Sequence, residues 1–394
     1  MIKKACFLVN YNQYESKRHF TEKFAEALNR NGIETKVFDV IETKIHEGII
    51  EAIKEFRPDF TLSFNSFNPL PDNTYLWDLL QIPHLSMLLD PSLYSVGLIH
   101  SPYSVISCVD YFDCYGLATQ NFDRIFLLPH AVEKELCESP DEPKEYDVVF
   151  IGSCYDYETM RQCWQNEFSE SICAALDLAC RIVLSDGDVP LQEALVKAQR
   201  ETGFPTEGVD FLKLFTYLDK YTRGLDRVAL IKSIDDAEVH IFGELFEDDQ
   251  GAVKGWKDLL KDKKNVIFHK PVTYAESLSI FKKSKVCLNS NPFFKNGSHE
   301  RIFAGLGAGN VLVTSENIFL KENFFTPDIP VIYSFENRKA VNEKINYYLA
   351  HEAERALSGK AGKKAVLEGH TWDHRARQLK QVMPVMIEKI KHLI

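Results

Sequence analysis

Residues 5–40 read ACFLVNYNQYESKRHFTEKFAEALNRNGIETKVFDV, and this stretch carries the clearest signal of the fold. An apolar run, Ala5–Asn10, precedes an amphipathic segment, Ser16–Asn31, whose apolar residues recur at helical spacing. Gly32 ends that segment, and a second apolar run, Thr35–Val40, follows it. A strand, helix, strand order of this length is typical of a right-handed crossover between parallel strands. The stretch therefore predicts the start of a parallel sheet.

The same alternation continues to residue 137, and we interpret residues 1–137 as one Rossmann-like α/β domain. Residues 138–146 contain two prolines among several charged residues, which is typical of a linker. Further strands of this first domain are predicted at Phe60–Phe64, His84–Leu89, Val105–Val109 and Arg124–Leu128.

A second alternating series begins at Asp147 and predicts another Rossmann-like parallel-sheet domain, residues 138–375. Residues 155–236 follow its first strand with a mostly helical pattern, far longer than a crossover needs, and predict a helical insertion. This insertion is expected to shape the acceptor opening or an oligomer contact and not to bind nucleotide. The six predicted strands are Asp147–Ile151, Glu238–Phe242, Asn265–Phe268, Lys285–Leu288, Val311–Thr314 and Pro330–Tyr333.

The composition is that of an ordinary globular chain. Its 394 residues are 45% hydrophobic and carry a formal net charge of -11, which argues against a general nucleic-acid or acidic-membrane binder. We expect no signal peptide and no transmembrane segment, because no apolar run is long enough. Nine scattered cysteines without a CxxC pair fit reduced thiols and a cytoplasmic location.

Two parallel sheets in tandem place a cleft between the domains, and ligands bind beyond the carboxyl ends of the strands. Gly152 and Ser153 follow the first strand of the second domain and are candidates for nucleotide binding. Gly243 could let the nucleotide approach the backbone, and Lys270 could contact a phosphate or the base. Asn289 is a candidate for binding donor hydroxyls, although polar residues at strand ends often only satisfy loops.

The sharpest local signal is the segment 288–310. Gly297-Ser298 has the pattern of a loop and N-cap that open a helix, so Arg301 falls in the first turn. A cation opposes the helix dipole there unless an anion lies nearby, and free backbone N–H groups with one arginine make a diphosphate site. Alternatively, Arg301 pairs with a carboxylate such as Glu316 or Glu322.

Two residues of the first domain are candidates for catalysis. Asp90 ends a predicted strand and could deprotonate an acceptor hydroxyl, or it could be a turn residue that caps backbone N–H groups. His130 ends the last strand near the hinge and could contact the donor, or it could be structural. The sequence contains no GxGxxG after its first strand and no Walker A, HExxH or GxSxG motif, which disfavours NTPases, zincins and α/β-hydrolases.

Several motifs, taken in order, resemble the CgeB-like (spore maturation protein) group of glycosyltransferases. In the first half the similarity rests on Leu88-Leu-Asp-Pro91 and Phe126-Leu-Leu-Pro-His-Ala131. In the second half the motifs are Tyr146-Asp-Val-Val-Phe-Ile-Gly-Ser153, Val286-Cys-Leu-Asn289, Gly297-Ser-His-Glu-Arg-Ile-Phe303, Ala308-Gly309, Ile345-Asn-Tyr-Tyr-Leu-Ala-His-Glu-Ala-Glu-Arg355 and His370-Thr-Trp-Asp-His-Arg375.

The resemblance implies the GT-B architecture, with the acceptor on the first domain and a nucleotide-diphosphate sugar, expected to be a UDP-sugar, on the second. It implies that the residues 297–301, including His299 and Glu300, hold the donor, that no metal or other cofactor is needed, and that the helix 376–394 crosses back to the first domain. One departure is Ala304, where members of the group commonly have Glu.

The leading hypothesis is therefore a glycosyltransferase with an unidentified protein, glycan or lipid-linked acceptor. A nucleotide-sugar epimerase or a glycosyl phosphorylase on the same scaffold is one alternative, and a non-catalytic nucleotide-sugar-binding protein is another. Ala304 keeps the last alternative open.

Overall fold

A computed structural model describes residues 2–10, 13–40, 47–246, 252–324, 329 and 331–394. The predicted fold class is confirmed, because the described chain forms two six-stranded parallel sheets flanked by helices. Eleven of the predicted strands coincide with observed strands to within one residue at each end, and the twelfth begins at Pro330, which lies outside the described residues.

The first sheet has the strand order β2-β1-β3-β4-β5-β6. Its central strands are buried on both faces, which explains why they are continuous apolar runs in the sequence. Its strands are β1 (Lys4–Val9), β2 (Glu34–Asp39), β3 (Phe60–Phe64), β4 (His84–Leu88), β5 (Ser104–Cys108) and β6 (Ile125–Leu127).

The second sheet has the order β12-β11-β10-β7-β8-β9, which is the Rossmann order. The chain reverses direction across this sheet between β7 and β10, and across the first sheet between β1 and β3. Ligands bind at such switch points. The strands are β7 (Tyr146–Ile151), β8 (Val239–Phe242), β9 (Val266–His269), β10 (Ser284–Asn289), β11 (Val311–Ser315) and β12 (Val331–Tyr333).

Helices cover the faces of both sheets. Those of the first domain are Ser16–Arg30, Glu47–Phe56, Leu76–Leu80, Tyr111–Ala118 and Lys134–Glu138, with short 3-10 segments at Gln13–Glu15 and Ser92–His100. Those that follow β8 are Trp256–Leu259, Tyr274–Lys282, Glu300–Gly307, Ile318–Phe324, Lys339–Ala350, Glu352–Gly369 and Trp372–Leu393.

The predicted insertion is a bundle of four helices with its own hydrophobic cluster. Val109 of the first domain and Phe293 and Phe294 of the second are buried in the same cluster, so the bundle packs on both domains. Its helices are Tyr157–Glu167, Glu170–Ser185, Leu191–Thr202 and Phe211–Lys232.

The segment 376–394, apart from Ile394, lies within the helix Trp372–Leu393, which packs against Ser16–Arg30 of the first domain. Arg30 forms an ion pair with Asp373 at 2.7 Å, and Arg375 donates to the carbonyl oxygen of Pro129 at 2.6 Å. Trp372 is fully buried in a cluster that contains residues of both domains. The last helix therefore fixes the first domain to the second.

Candidate functional site

The two switch points face one cleft of about 510 Å³ between the domains. Asn65 and Asp90 line it from the ends of β3 and β4, and Gly152 and Arg301 line it from the segments that follow β7 and β10. The cleft is therefore where parallel sheets bind ligands, and it is bounded by both domains at once.

Arg301 lies in the first turn of the helix Glu300–Gly307, as the sequence predicts, and its side chain is buried against the end of β7. Its Nε donates to Asn289 Oδ1 at 3.2 Å, and its Nη1 donates to the carbonyl oxygen of Ile151 at 3.1 Å. Neither Glu316 nor Glu322 is its partner; the nearest carboxylate oxygen is that of Glu300, at 3.9 Å. Arg301 is therefore held in place mainly by neutral acceptors.

Gly152 forms the floor of the cleft under this guanidinium. A Cβ at this position would lie 3.1 Å from Arg301 Nη1, so a side chain here would occupy the space between the backbone and the cation. Ser153 follows it and also lines the cleft. The site thus combines backbone that no side chain covers, at Gly152, with a fixed positive charge, and this combination suits an anion such as a phosphate.

His299 and Glu300 both line the cleft beside Arg301. His299 Nδ1 lies 3.4 Å from the Arg301 backbone nitrogen and 2.6 Å from Glu300 Oε2, and burial and the Arg301 charge lower the pKa of His299. Burial alone would raise the pKa of Glu300, but contacts with His299 and Arg301 outweigh burial and hold that pKa well below its usual range. Glu300 is therefore an ionised acceptor at the cleft.

Ala304, the departure from the family pattern, does not face the cleft. Its side chain is fully buried in the hydrophobic cluster shared by the two domains. The carboxylate that lines the cleft from this helix is Glu300, four residues earlier.

Asp90 lines the opposite wall and is exposed. Its Oδ2 accepts from Asn65 Nδ2 at 3.0 Å, and its Oδ1 lies 3.9 Å from Nη1 of Arg223 in the insertion. Arg223 is itself fixed by a bidentate pair with Asp219, at 2.7 and 2.9 Å. Asp90 is therefore oriented from its own domain and from the insertion, with its carboxylate open to the cleft.

The insertion also contributes Arg227, which no sequence argument assigned to the site. Its guanidinium donates to the carbonyl oxygen of Ser153 at 2.7 Å and lies 4.9 Å from the Tyr155 ring centre. Arg227 and Arg301 thus bind backbone carbonyls on either side of Gly152. A signal was present, since Lys220, Arg223 and Arg227 recur at helical spacing, but the same pattern is typical of a solvated helix.

Gly243 and Lys270, which the sequence suggests as nucleotide contacts, do not line the cleft. Gly243 is absent from the cleft lining and packs against the backbone of Gly152, which is the close approach that requires a glycine there. Lys270 is exposed after β9 and does not line the cleft. Asn289 is fully buried and acts indirectly, because its side chain holds Arg301.

Gly297 and Ser298, expected to bind the diphosphate, lie instead at the domain junction. A Cβ on Gly297 would lie 2.6 Å from the Asp110 Cα, and the two residues form an antiparallel bridge. Ser298 is fully buried; its N–H donates to the Val109 carbonyl, and its hydroxyl accepts from the His130 N–H at 3.1 Å. This loop joins the domains, and the helix begins after it.

His130 is buried behind the cleft and does not line it. Its Nδ1 accepts from the Ala131 N–H, its ring packs on Phe20 and Trp372, and burial lowers its pKa. Its Nε2 has no hydrogen-bond partner in the structure. The geometry therefore gives His130 a packing role at the junction.

Within the described residues, no cluster of three or more His, Cys, Asp or Glu side chains is arranged to hold a metal ion. In the same part of the chain, no helix has the length and apolar character needed to span a membrane.

Comparison with known proteins gives a consistent result. Residues 226–381 match the family model described as "Glycosyl transferase-like". No curated protein matches the sequence. Sucrose-phosphate synthase from Thermosynechococcus elongatus is similar in structure, with a TM-score of 0.54 at 11% identity, covering 98% of this chain and 99% of that one.

The fold is GT-B. Anabaena HepE, solved in complex with UDP and glucose, has a TM-score of 0.54 at 8% identity and covers 98% of this chain and 100% of its own. T4 phage BGT, solved with UDP and Mn²⁺, has a TM-score of 0.52 at 9% identity and covers 98% and 99%. At such low identities these likenesses describe the fold, while the family match supports glycosyl transfer.

Proposed function

We propose that this protein is a glycosyltransferase that moves a sugar from a nucleotide-diphosphate sugar to an acceptor hydroxyl. One observation carries the proposal: a buried arginine at the floor of an interdomain cleft, Arg301 over Gly152, faces an exposed carboxylate, Asp90, on the other domain. A leaving diphosphate needs the first group, and an acceptor hydroxyl needs the second.

In this proposal the diphosphate of the donor lies above Gly152, where Arg301 donates to its oxygens. The anomeric carbon–oxygen bond to the diphosphate breaks, and its electron pair leaves with the phosphate oxygen. The acceptor hydroxyl oxygen forms the new bond to the anomeric carbon, and its proton goes to the Asp90 carboxylate. The buried guanidinium stabilises the charge that develops on the leaving group more strongly than it would in water.

Fixed guanidiniums in the cleft could supply the positive charge that a divalent cation supplies elsewhere, so we propose that transfer needs no metal or other cofactor. We also propose that Glu300, ionised and beside Arg301, accepts hydrogen bonds from donor hydroxyls. A UDP-sugar is the favoured donor, because UDP occupies two of the similar structures.

We also propose that the protein is related to the CgeB-like group, because its sequence motifs resemble those of that group. A cytoplasmic location is proposed as well, and the nine free cysteines support it because reduced thiols are typical of that compartment.

The decisive experiment measures binding first and chemistry second. Calorimetry with UDP, GDP, ADP and TDP identifies the nucleotide, and the matching radiolabelled sugar nucleotide is then incubated with candidate acceptors, with and without EDTA. Acceptor-dependent release of the nucleotide diphosphate supports the transferase. Turnover of the donor without acceptor indicates an epimerase, release that requires inorganic phosphate indicates a phosphorylase, and binding without turnover indicates a non-catalytic protein.

A further inference from the structure

Arg227 is a buried cation whose hydrogen-bonding capacity is only partly used. The residue is 3% exposed, and its Nε has no hydrogen-bond partner in the structure. Its side chain lines the cleft, where its Nη1 donates to the Ser153 carbonyl oxygen. A buried N–H without an acceptor costs free energy unless another molecule supplies the acceptor.

The charges around Arg227 point to the nature of that molecule. Asp219 neutralises Arg223 through two hydrogen bonds, but no carboxylate of the described residues forms an ion pair with Arg227. Burial, with the repulsion of Arg301 and Arg223, lowers the pKa of Arg227 to about 10, so it still carries its charge at pH 7. An unneutralised buried cation beside Arg301 is stabilised by an anion.

The position of Arg227 is fixed by the helix that carries it. Leu230 and Ile231, one turn later, are fully buried in the core of the second domain. Tyr155 lies alongside the guanidinium, and Gly224 of the same helix approaches the Tyr155 backbone so closely that a Cβ would lie 2.6 Å from its carbonyl oxygen. The guanidinium therefore meets a ligand as a rigid group.

We infer that Arg227, supplied by the insertion, is a second diphosphate-binding side chain that contacts the leaving group together with Arg301. This inference rests on the proposed function and assigns the insertion a part in donor binding. It departs from the expectation that the insertion does not bind nucleotide. Two separate guanidiniums fit two phosphate groups, so the site selects diphosphates over monophosphates.

The test compares ligands that differ only in phosphate number. Uridine, UMP and UDP, or the same series on whichever base the wild type prefers, are titrated calorimetrically into wild type, Arg227→Met and Arg227→Lys. Arg200→Met is the matched control, because Arg200 is an exposed arginine at the end of another insertion helix. Thermal denaturation of each unliganded variant checks that it is folded.

Arg227→Met is expected to weaken UDP binding by about 10- to 100-fold, as for loss of a charge-assisted hydrogen bond, while uridine binding stays unchanged. Arg227→Lys, which keeps the charge, is expected to lie between Arg227→Met and wild type. If Arg227→Met does not fold, Arg227→Lys becomes the deciding variant, and it is expected to lose affinity for UDP but not for uridine.

Unchanged UDP affinity in the deciding variant overturns the inference and leaves the proposed function intact, since the wild type still binds UDP. Equal losses for uridine and UDP also overturn it, because they indicate a general disturbance of the site. A wild type that binds none of the nucleoside diphosphates overturns the proposed function itself, and the inference with it.

Discussion

Gly243 and Gly152 pack backbone to backbone where β8 and β7 end, and a Cβ on Gly243 would lie 2.8 Å from the Gly152 carbonyl carbon. Gly152 also donates to the Phe242 carbonyl oxygen at 3.0 Å, so the two strand ends hold each other in register. The floor of the cleft therefore depends on a glycine that does not face it.

Gly243→Ala is accordingly expected to lower the free energy of unfolding by about 1–3 kcal/mol, because backbone atoms must shift to accept the methyl group. It should also weaken nucleotide binding, since Gly152 moves with it. Gly116→Ala is the control: nothing lies within 4 Å of its Cβ position, and alanine favours the helix Tyr111–Ala118 by about 0.5–1 kcal/mol. Urea denaturation measures the free energy of unfolding of both variants. A Gly243→Ala protein as stable as wild type contradicts the packing argument.

A second prediction concerns Arg301. Arg301→Ala should leave a folded protein whose affinity for the nucleotide diphosphate falls by about 10- to 100-fold, because a charge-assisted contact is worth about 1.5–3 kcal/mol. Asn289→Ala should give a smaller loss, since it removes only the acceptor that orients the Arg301 Nε. Calorimetry at one salt concentration compares the two, and equal affinity in folded Arg301→Ala and wild type rejects the role.

The strand ends explain how far the sequence could predict this site. Parallel strands buried on both faces are continuous apolar runs, so their ends are visible in the sequence, and the residues that follow them fall at the cleft. The sequence predicts Asp90, Gly152 and Arg301 in this way, and the three residues line one cavity in the structure. Ser153, His299 and Glu300 lie beside them for the same reason.

The predicted residues that do not line the cleft, and the one that no sequence argument proposed, depend on contacts between distant parts of the chain. Gly297 has the pattern of a phosphate loop, but the sequence does not reveal that Asp110 of the other domain packs against it. Arg227 has the pattern of a solvated helix, and only the packing of that helix against the segment that follows β7 places Arg227 in the cleft. Local pattern cannot decide which partner a glycine or a basic residue meets.

Part of the pH dependence of stability comes from a buried histidine that does not line the cleft. His84 is fully buried between Thr61 and Ser63 and stacks on Trp77, and burial lowers its pKa to about 3. The unfolded state therefore binds the proton more readily. The stability that neutral His84 contributes is complete above the unfolded pKa of about 6.5 and is lost as the pH falls from there toward 3.

Because of one such histidine, the free energy of unfolding should fall by about 2 kcal/mol as the pH is lowered from 7.5 to 5. His84→Gln is expected to be less stable than wild type at pH 7.5 and to lose less on acidification by about that amount. Urea denaturation at the two pH values measures the difference, with His392→Gln, at the exposed end of the last helix, as the control for the substitution. An identical loss in wild type and His84→Gln shows that His84 does not carry the effect.

The last prediction concerns Asp90 as the base that accepts the acceptor proton. Its carboxylate is open to the cleft, opposite the Arg301 side, and is oriented by Asn65 and Arg223. Asp90→Asn keeps the shape and the Asn65 contact but cannot take a proton, so it should bind nucleotide diphosphate normally and lose about 10²–10⁴-fold in transfer rate. Asn65→Ala is the companion variant: it leaves the carboxylate in place but less well oriented, and its loss in rate should be smaller.

Both variants are measured by turnover of the sugar nucleotide at saturating donor and by calorimetric affinity for the nucleotide diphosphate. The stereochemistry of the product, read by NMR, gives a further check, because a protein base is needed for direct attack with inversion and is less necessary if configuration is retained. Native-rate transfer by Asp90→Asn would assign Asp90 to the turn after β4 and place the base elsewhere in the cleft.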